Sequence, residues 1–82
     1  MLHLQLRVPQ GVTDDVVALL VSDETVTNVA VVPGGYTKPQ GCLVLADVAR
    51  ESANSVVTRL RDLGIHQGGS ITVTVDIDAE GN

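Results

Sequence analysis

Phenylalanine and tryptophan are missing from this sequence, and Tyr36 is its one aromatic residue. A core without several rings has to be assembled from Val, Leu, Ile and Ala, with less apolar area per side chain. A sheet that reads single-stranded RNA stacks bases on exposed aromatics, so that function is excluded with them. Cations are also few: five Lys and Arg stand against ten Asp and Glu, a net charge of −5. Binding nucleic acid through its phosphates needs the opposite balance, and no nucleic-acid partner is expected. Cys42 is the only cysteine, and His3 and His66 are the only histidines. One thiol allows no intrachain disulfide, which suits a reducing compartment. A zinc site wants three or four ligands at short paired spacings. No metal and no cofactor is therefore expected. No apolar run approaches the ~20 residues that span a bilayer. The start, "MLHLQLRVP", alternates like a strand and does not read as a signal peptide. The domain itself is expected to be soluble and cytoplasmic.

What is present is a regular alternation of strand and helix patterns in 82 residues, enough for one domain with a small core. Leu2, Leu4, Leu6 and Val8 alternate with His3, Gln5 and Arg7, a strand with one buried and one polar face. Thr13 is placed to cap a helix whose first turn carries Asp14 and Asp15 and whose apolar face is Val16, Val17, Leu20 and Val21. Val26 to Val32 reads as a second strand and Cys42 to Val48 as a third. Ala53, Val56, Val57, Leu60 and Leu63 have helical spacing, which predicts a second helix from about Ala49 or Arg50 to Leu63. Gly64 is expected at its end in a left-handed conformation, followed by the apolar Ile65. "SITVTVDI", Ser70 to Ile77, is the fourth strand. These readings give a single domain over 1–78 and a polar tail over 79–82.

The pattern repeats. At an offset of 40 residues Leu4 meets Val44, Leu6 meets Ala46 and Val8 meets Val48, and Val16, Val17 and Leu20 meet Val56, Val57 and Leu60. Two strand–helix–strand units joined end to end predict an α+β domain of the ferredoxin-like, split βαβ kind (βαββαβ). The expected sheet is four-stranded and antiparallel, in the order 4-1-3-2, with both helices on one face.

Between the second and third strand patterns lies "PGGYTKPQG", Pro33 to Gly41. A glycine loop that cradles phosphate is followed by a helix whose free N–H groups meet the anion. This one leads into a strand pattern and lacks the GK[ST] ending of a P-loop, so it is expected only to turn the chain. Cys42 shares its face with Val44 and Ala46 and reads as a small buried hydrophobe. No nucleophile with a base beside it is evident, and no catalytic residue is assigned. The chain is expected not to be an enzyme.

Two surfaces are candidates for function. If Leu4 and Val44 face the helices, the uncovered face carries His3, Gln5 and Arg7, then Leu43 and Leu45, then Thr72 and Thr74. Leucines on an exposed sheet mark an interface, so Leu43, Leu45, His3 and Gln5 are interface candidates. The other is the strand–helix corner in "ADVARESAN", where Asp47, Arg50, Glu51 and Asn54 could meet a partner. Its structural reading has Asp47 as the helix cap and Glu51 at the positive helix end.

The start "MLHLQLRVP", the middle "VTNVAVVPGG" and "GCLVLADVARESANSVVTRLRDLG" followed by "GGSITV" resemble a known family over nearly the whole chain. The most specific parts are Asp47-Val48-Ala49-Arg50-Glu51 with Asn54, and Gly69-Ser70-Ile71. The family is the bacterial membrane proteins called domain of unknown function 389, and the chain resembles their N-terminal soluble domain, in an actinobacterial version. That resemblance implies a cytoplasmic-side domain attached to hydrophobic helices of a longer protein in the cell membrane, and no assigned reaction. The expected function is a non-enzymatic interaction or regulatory domain that forms a homo-oligomer through its open sheet face or docks on the membrane-embedded part. The alternative is a small-ligand sensor resembling ACT domains, with "PQGVTDD" lining the ligand site.

Overall fold

A computed structural model describes residues 1–75. Asp76 and Ile77, assigned above to the fourth strand, and the polar tail at 79–82 lie outside the described residues. Strand β1, Leu2–Val8, is followed by helix α1, Thr13–Ser22, then by β2, Val26–Thr37, and β3, Gln40–Val48. Helix α2, Ala53–Asp62, and strand β4, Ser70–Val75, complete the order. All pairings are antiparallel: β1 with β3, β1 with β4 and β2 with β3. The sheet order is β2-β3-β1-β4, which read from the β4 edge is 4-1-3-2.

The alternation in β1 and β3 decides which face is buried. Leu4, Leu6 and Val8 of β1 and Val44, Ala46 and Val48 of β3 point to one side. Val16 and Leu20 of α1, and Ala53, Val56 and Leu60 of α2, meet them there with Ile65 in one continuous cluster. Both helices therefore cover the same face of the sheet. Burying each of these larger side chains contributes about 1.5–3 kcal/mol against the entropy of ordering the chain.

The duplication extends to the backbone. A turn of 3-10 helix at Gln10–Val12 leads into α1, and another at Arg50–Ser52 leads into α2, so each half repeats the other at the same offset of 40. These turns correct the expected helix starts. Thr13 does not cap α1: its hydroxyl donates to the carbonyl of Pro9 at 3.2 Å. Asp47 does not cap α2, and α2 begins at Ala53 instead of Ala49 or Arg50. The 3-10 turns supply i-to-i+3 bonds at the entry, from Val12 N to Pro9 O and from Ser52 N to Ala49 O, where a capping side chain would otherwise have served. At the other end the expectation holds: Gly64 has φ +88° and the following Ile65 is fully buried.

The segment Pro33 to Gly41 is the largest correction. Most of it is strand: β2 runs on to Thr37, β3 starts at Gln40, and the turn is only Lys38 and Pro39. Two irregularities in the β2–β3 register, between Thr27 and Ala30 and between Val32 and Tyr36, absorb the residues that break the pattern. Asn28, at φ 55°, sits in the first, and Gly34, at φ 69°, in the second. Gly35 lies so close to β3 that an added Cβ would come within 2.6 Å of the Leu43 Cβ. The glycines of this stretch serve a bulged ribbon.

Candidate functional site

The face of the sheet opposite the helices carries the side chains that strand alternation turns away from the core. Across one end of it runs a row of cross-strand neighbours: Thr27 on β2, Asp47 on β3, His3 on β1 and Thr74 on β4. Within it Asp47 accepts from two sides. Nδ1 of His3 meets its Oδ1, and the amide of Asn28 donates to its Oδ2 at 2.8 Å. A carboxylate only accepts, so the contact places the proton on His3 Nδ1. The left-handed bulge at Asn28 is what brings its amide to this face. Asp47, half-buried, is thus tied into a polar row on the sheet instead of reaching the start of α2.

Beside the row lies an apolar area. Register places Ala30 opposite Leu45 and Val32 opposite Leu43. Leu45 is 38% exposed and Val32 43%, while Leu43 is half-buried beneath Gly35. Tyr36 frames this area, its hydroxyl accepting from Gln5 Nε2 at 2.8 Å. Arg7 closes the far end and donates to the carbonyl of Gly68 at 2.8 Å. A shallow depression of about 290 Å³ between the polar row and this area is lined by His3, Gln5, Asn28, Ala30, Leu45, Asp47 and Thr74.

The four interface candidates His3, Gln5, Leu43 and Leu45 therefore share one face and two adjacent strands. The corner candidates do not converge. Asp47 belongs to the open face, whereas Arg50 and Glu51 lie exposed on the 3-10 turn and Asn54 lies exposed on α2. Sequence reasoning missed Asn28 and Tyr36. Only the bulge and the extension of β2 bring them beside Asp47 and Gln5. Cys42 is on the helix-facing side but only partly covered. It lines a groove of about 1020 Å³ between α1 and the β2–β3 ribbon, with Gln10, Thr13 and Asp14 at its polar end and Val17, Val21, Val31 and Pro33 along its walls.

Fold and site together define an α+β domain with one helix-covered and one open sheet face. Compared with protein-family models, curated proteins and solved structures, the chain matches none. Among the described residues no helix is long and apolar enough to cross a membrane.

Proposed function

We propose that this is a non-enzymatic interaction domain of ferredoxin-like topology that self-associates through its open sheet face. The observation that carries the reading is the contiguous set Ala30, Val32, Leu43 and Leu45 on a face that nothing in the chain's described residues covers. Contiguous exposed apolar area of this kind marks a contact surface. Charge placement favours a second copy as the occupant. Arg7 stands at one end of the face and Asp47 at the other. A two-fold axis lying in the plane between two stacked sheets, across the strands, sets the Arg7 end of each copy's face over the end that carries His3 and Asp47 in the other. The apolar areas then meet between them, at the ~10 Å spacing of stacked sheets. In this reading the domain is the cytoplasmic-side, oligomer-forming part of a longer membrane protein.

Val32→Lys combined with Leu45→Lys tests it, since both side chains are exposed and neither is in the core. Sedimentation is expected to show an oligomer for the wild type and a smaller folded species for the double variant. A variant that assembles as the wild type does would overturn the open-face reading.

A small-ligand sensor resembling ACT domains is the second reading, supported by one feature. Gln10, Thr13 and Asp14 of "PQGVTDD" line the groove between α1 and the β2–β3 ribbon. A sensor of this kind gains thermal stability from one amino acid in a panel of twenty, through binding to the native state alone. A melting temperature that none of them shifts eliminates it.

A further inference from the structure

We infer that β4 is an assembly edge, pairing antiparallel with β4 of a second copy around a two-fold axis at Val73 and joining two four-stranded sheets into one of eight strands. The surface concerned is distinct from the open face, and the inference does not depend on that reading.

The two edges of the sheet differ in kind. An edge strand presents unpaired backbone N–H and C=O groups that only another strand satisfies in register, and proteins guard such edges with bulges, proline, lysine or charge. The β2 edge is guarded. It has two register irregularities, Pro33 within it and Lys38 at its tip. Among the described residues the β4 edge carries none of these devices. Ser70–Val75 reads SITVTV: no charge, no proline, no glycine and five β-branched residues in succession. Among the described residues its one strand neighbour is β1, along the whole of its length.

The side chains point to the same conclusion. Val73 pairs with Leu4 and Val75 with Leu2, so both lie on the helix-covered side of the sheet. Yet Val73 is 45% and Val75 52% exposed, where Leu4, Leu6 and Val8 of β1 and Val44, Ala46 and Val48 of β3 on that side are buried. The helices leave a shelf of valine along this edge.

A second copy of the chain fits the shelf because SITVTV is complementary to itself. With the axis at Val73 and perpendicular to the sheet, each strand keeps its faces. Val73 meets Val73, Ile71 meets Val75, and on the other side Thr72 meets Thr74. Apolar side chains thus face apolar ones and threonines face threonines, the cross-strand pairs that stabilise antiparallel sheets. Electrostatics agrees. In a chain of net charge −5 the strand brought into contact is uncharged, so two acidic copies approach there without opposed carboxylates on the pairing strands.

Cross-linking of the full chain decides it. In a Cys42→Ala background, Val73→Cys places two thiols opposite each other, whereas Thr72→Cys places each thiol opposite a threonine. With oxidised glutathione, the Val73→Cys protein is expected to form a covalent dimer at least tenfold faster than the Thr72→Cys protein. Val73→Lys is expected to weaken self-association at least tenfold in sedimentation while the far-ultraviolet circular dichroism is unchanged. Should Val73→Lys fail to fold, Val73→Thr preserves the branched, uncharged strand and the cross-linking comparison stands by itself. Adding Val32→Lys and Leu45→Lys is expected to leave the Val73→Cys rate unchanged, which separates this edge from the open face. Equal rates for the two cysteine proteins, or a wild type that stays monomeric at several hundred micromolar, would overturn the inference.

Discussion

Gly64 and Gly69 stand close together after α2 and are glycines for different reasons. At Gly64 an added Cβ meets nothing within 4 Å, so the constraint is the backbone itself, at φ +88°. A branched side chain is at its worst in that region, and Gly64→Val is expected to lower stability by roughly 1 kcal/mol or more. At Gly69 an added Cβ would lie 2.3 Å from the carbonyl oxygen of Arg7 and 2.5 Å from that of Ile65. Those atoms are backbone and cannot step aside, so Gly69→Ala is expected to destabilise by about 1–3 kcal/mol through overpacking. Urea midpoints measure both, and an unchanged midpoint in either removes the assignment concerned. The sequence disclosed the role of Gly64 through its place after a helical pattern. Gly69 could not be read that way, because the nearer of the two carbonyls that crowd it arrives from β1. A third residue, Asp23, makes the same point with charge. It accepts from the hydroxyl and the backbone N–H of Thr25, and Arg59 donates to it from α2. The hydroxyl bond first, then the N–H bond and the nearby guanidinium, hold its carboxyl below the ordinary carboxylate range. The folded state thus favours the ionised form. The stability this adds is fully present above the unfolded pKa of about 3.9 and is lost as pH falls below that value through the folded one. Asp23→Asn is expected to lower the urea midpoint at pH 7 and to change it much less at pH 2; equal effects at both would show that the charge is not what matters. The contact joins residues 36 apart in the chain, beyond what local pattern can disclose.

At the scale of elements, β1, β3 and the two helices were legible because their burial follows a fixed period, two in strands and 3.6 in helices. The starts of the helices and the outer half of β2 were not. The expected caps at Thr13 and Asp47 rested on residue type, and the entering 3-10 turns replaced them. Pro33, Gly34 and Gly35 read as a loop because each breaks a regular strand. An edge strand with bulges tolerates such residues, since its outer backbone groups have no neighbour to pair with. The bulges also explain why register on β2, and with it the polar partner Asn28, could not be assigned beforehand. The ribbon is nevertheless expected to be dispensable to the fold. No residue from 33 to 42 belongs to the fully buried core, although Cys42 pairs with Val8 at its margin, and Val32 already pairs with Leu43. Replacing Pro33–Cys42 by Asn-Gly leaves that pair flanking a two-residue hairpin turn of the favoured kind. The shortened protein is expected to stay folded and to unfold cooperatively. It would lose the Tyr36–Gln5 hydrogen bond and part of the groove beside α1. Loss of cooperative unfolding would mean that the ribbon is integral to the core. If instead a nucleotide or inorganic phosphate stabilises the wild type and the shortened chain no longer responds, the glycines bind an anion after all.

The whole molecule is two copies of one unit, and that symmetry was the most legible feature because it is written twice. Buried residues, 3-10 turns and helices recur at the same offset, and at the entry to each helix a 3-10 turn stands where a capping side chain was expected. What the repeat could not disclose is how the halves differ at their edges, since β2 and β4 occupy equivalent places yet β2 is bulged and β4 pairs regularly over Ser70–Val75. The duplication has a consequence for connectivity. If the fold resides in the packing of two equivalent units, their order along the chain should be interchangeable. Leu2 and Val75 are directly paired on neighbouring strands, so their Cα atoms lie about 5 Å apart. Residues 76–82 are ample to link Val75 to Met1. The turn at Lys38 and Pro39 is exposed and lies far from the core, the kind of site at which new termini are tolerated. A permuted chain that begins at Pro39, runs through Asn82 into Met1 and ends at Lys38 presents the elements as β3, α2, β4, β1, α1 and β2. It is expected to form the same sheet, with amide cross-strand contacts from Leu4 to Ala46 and to Val73 unchanged in solution spectra, and with lower stability from the opened ribbon. A permuted chain that collapses without those contacts would mean that the first unit has to form before the second can pack on it, and that the two halves are alike in pattern but not in role.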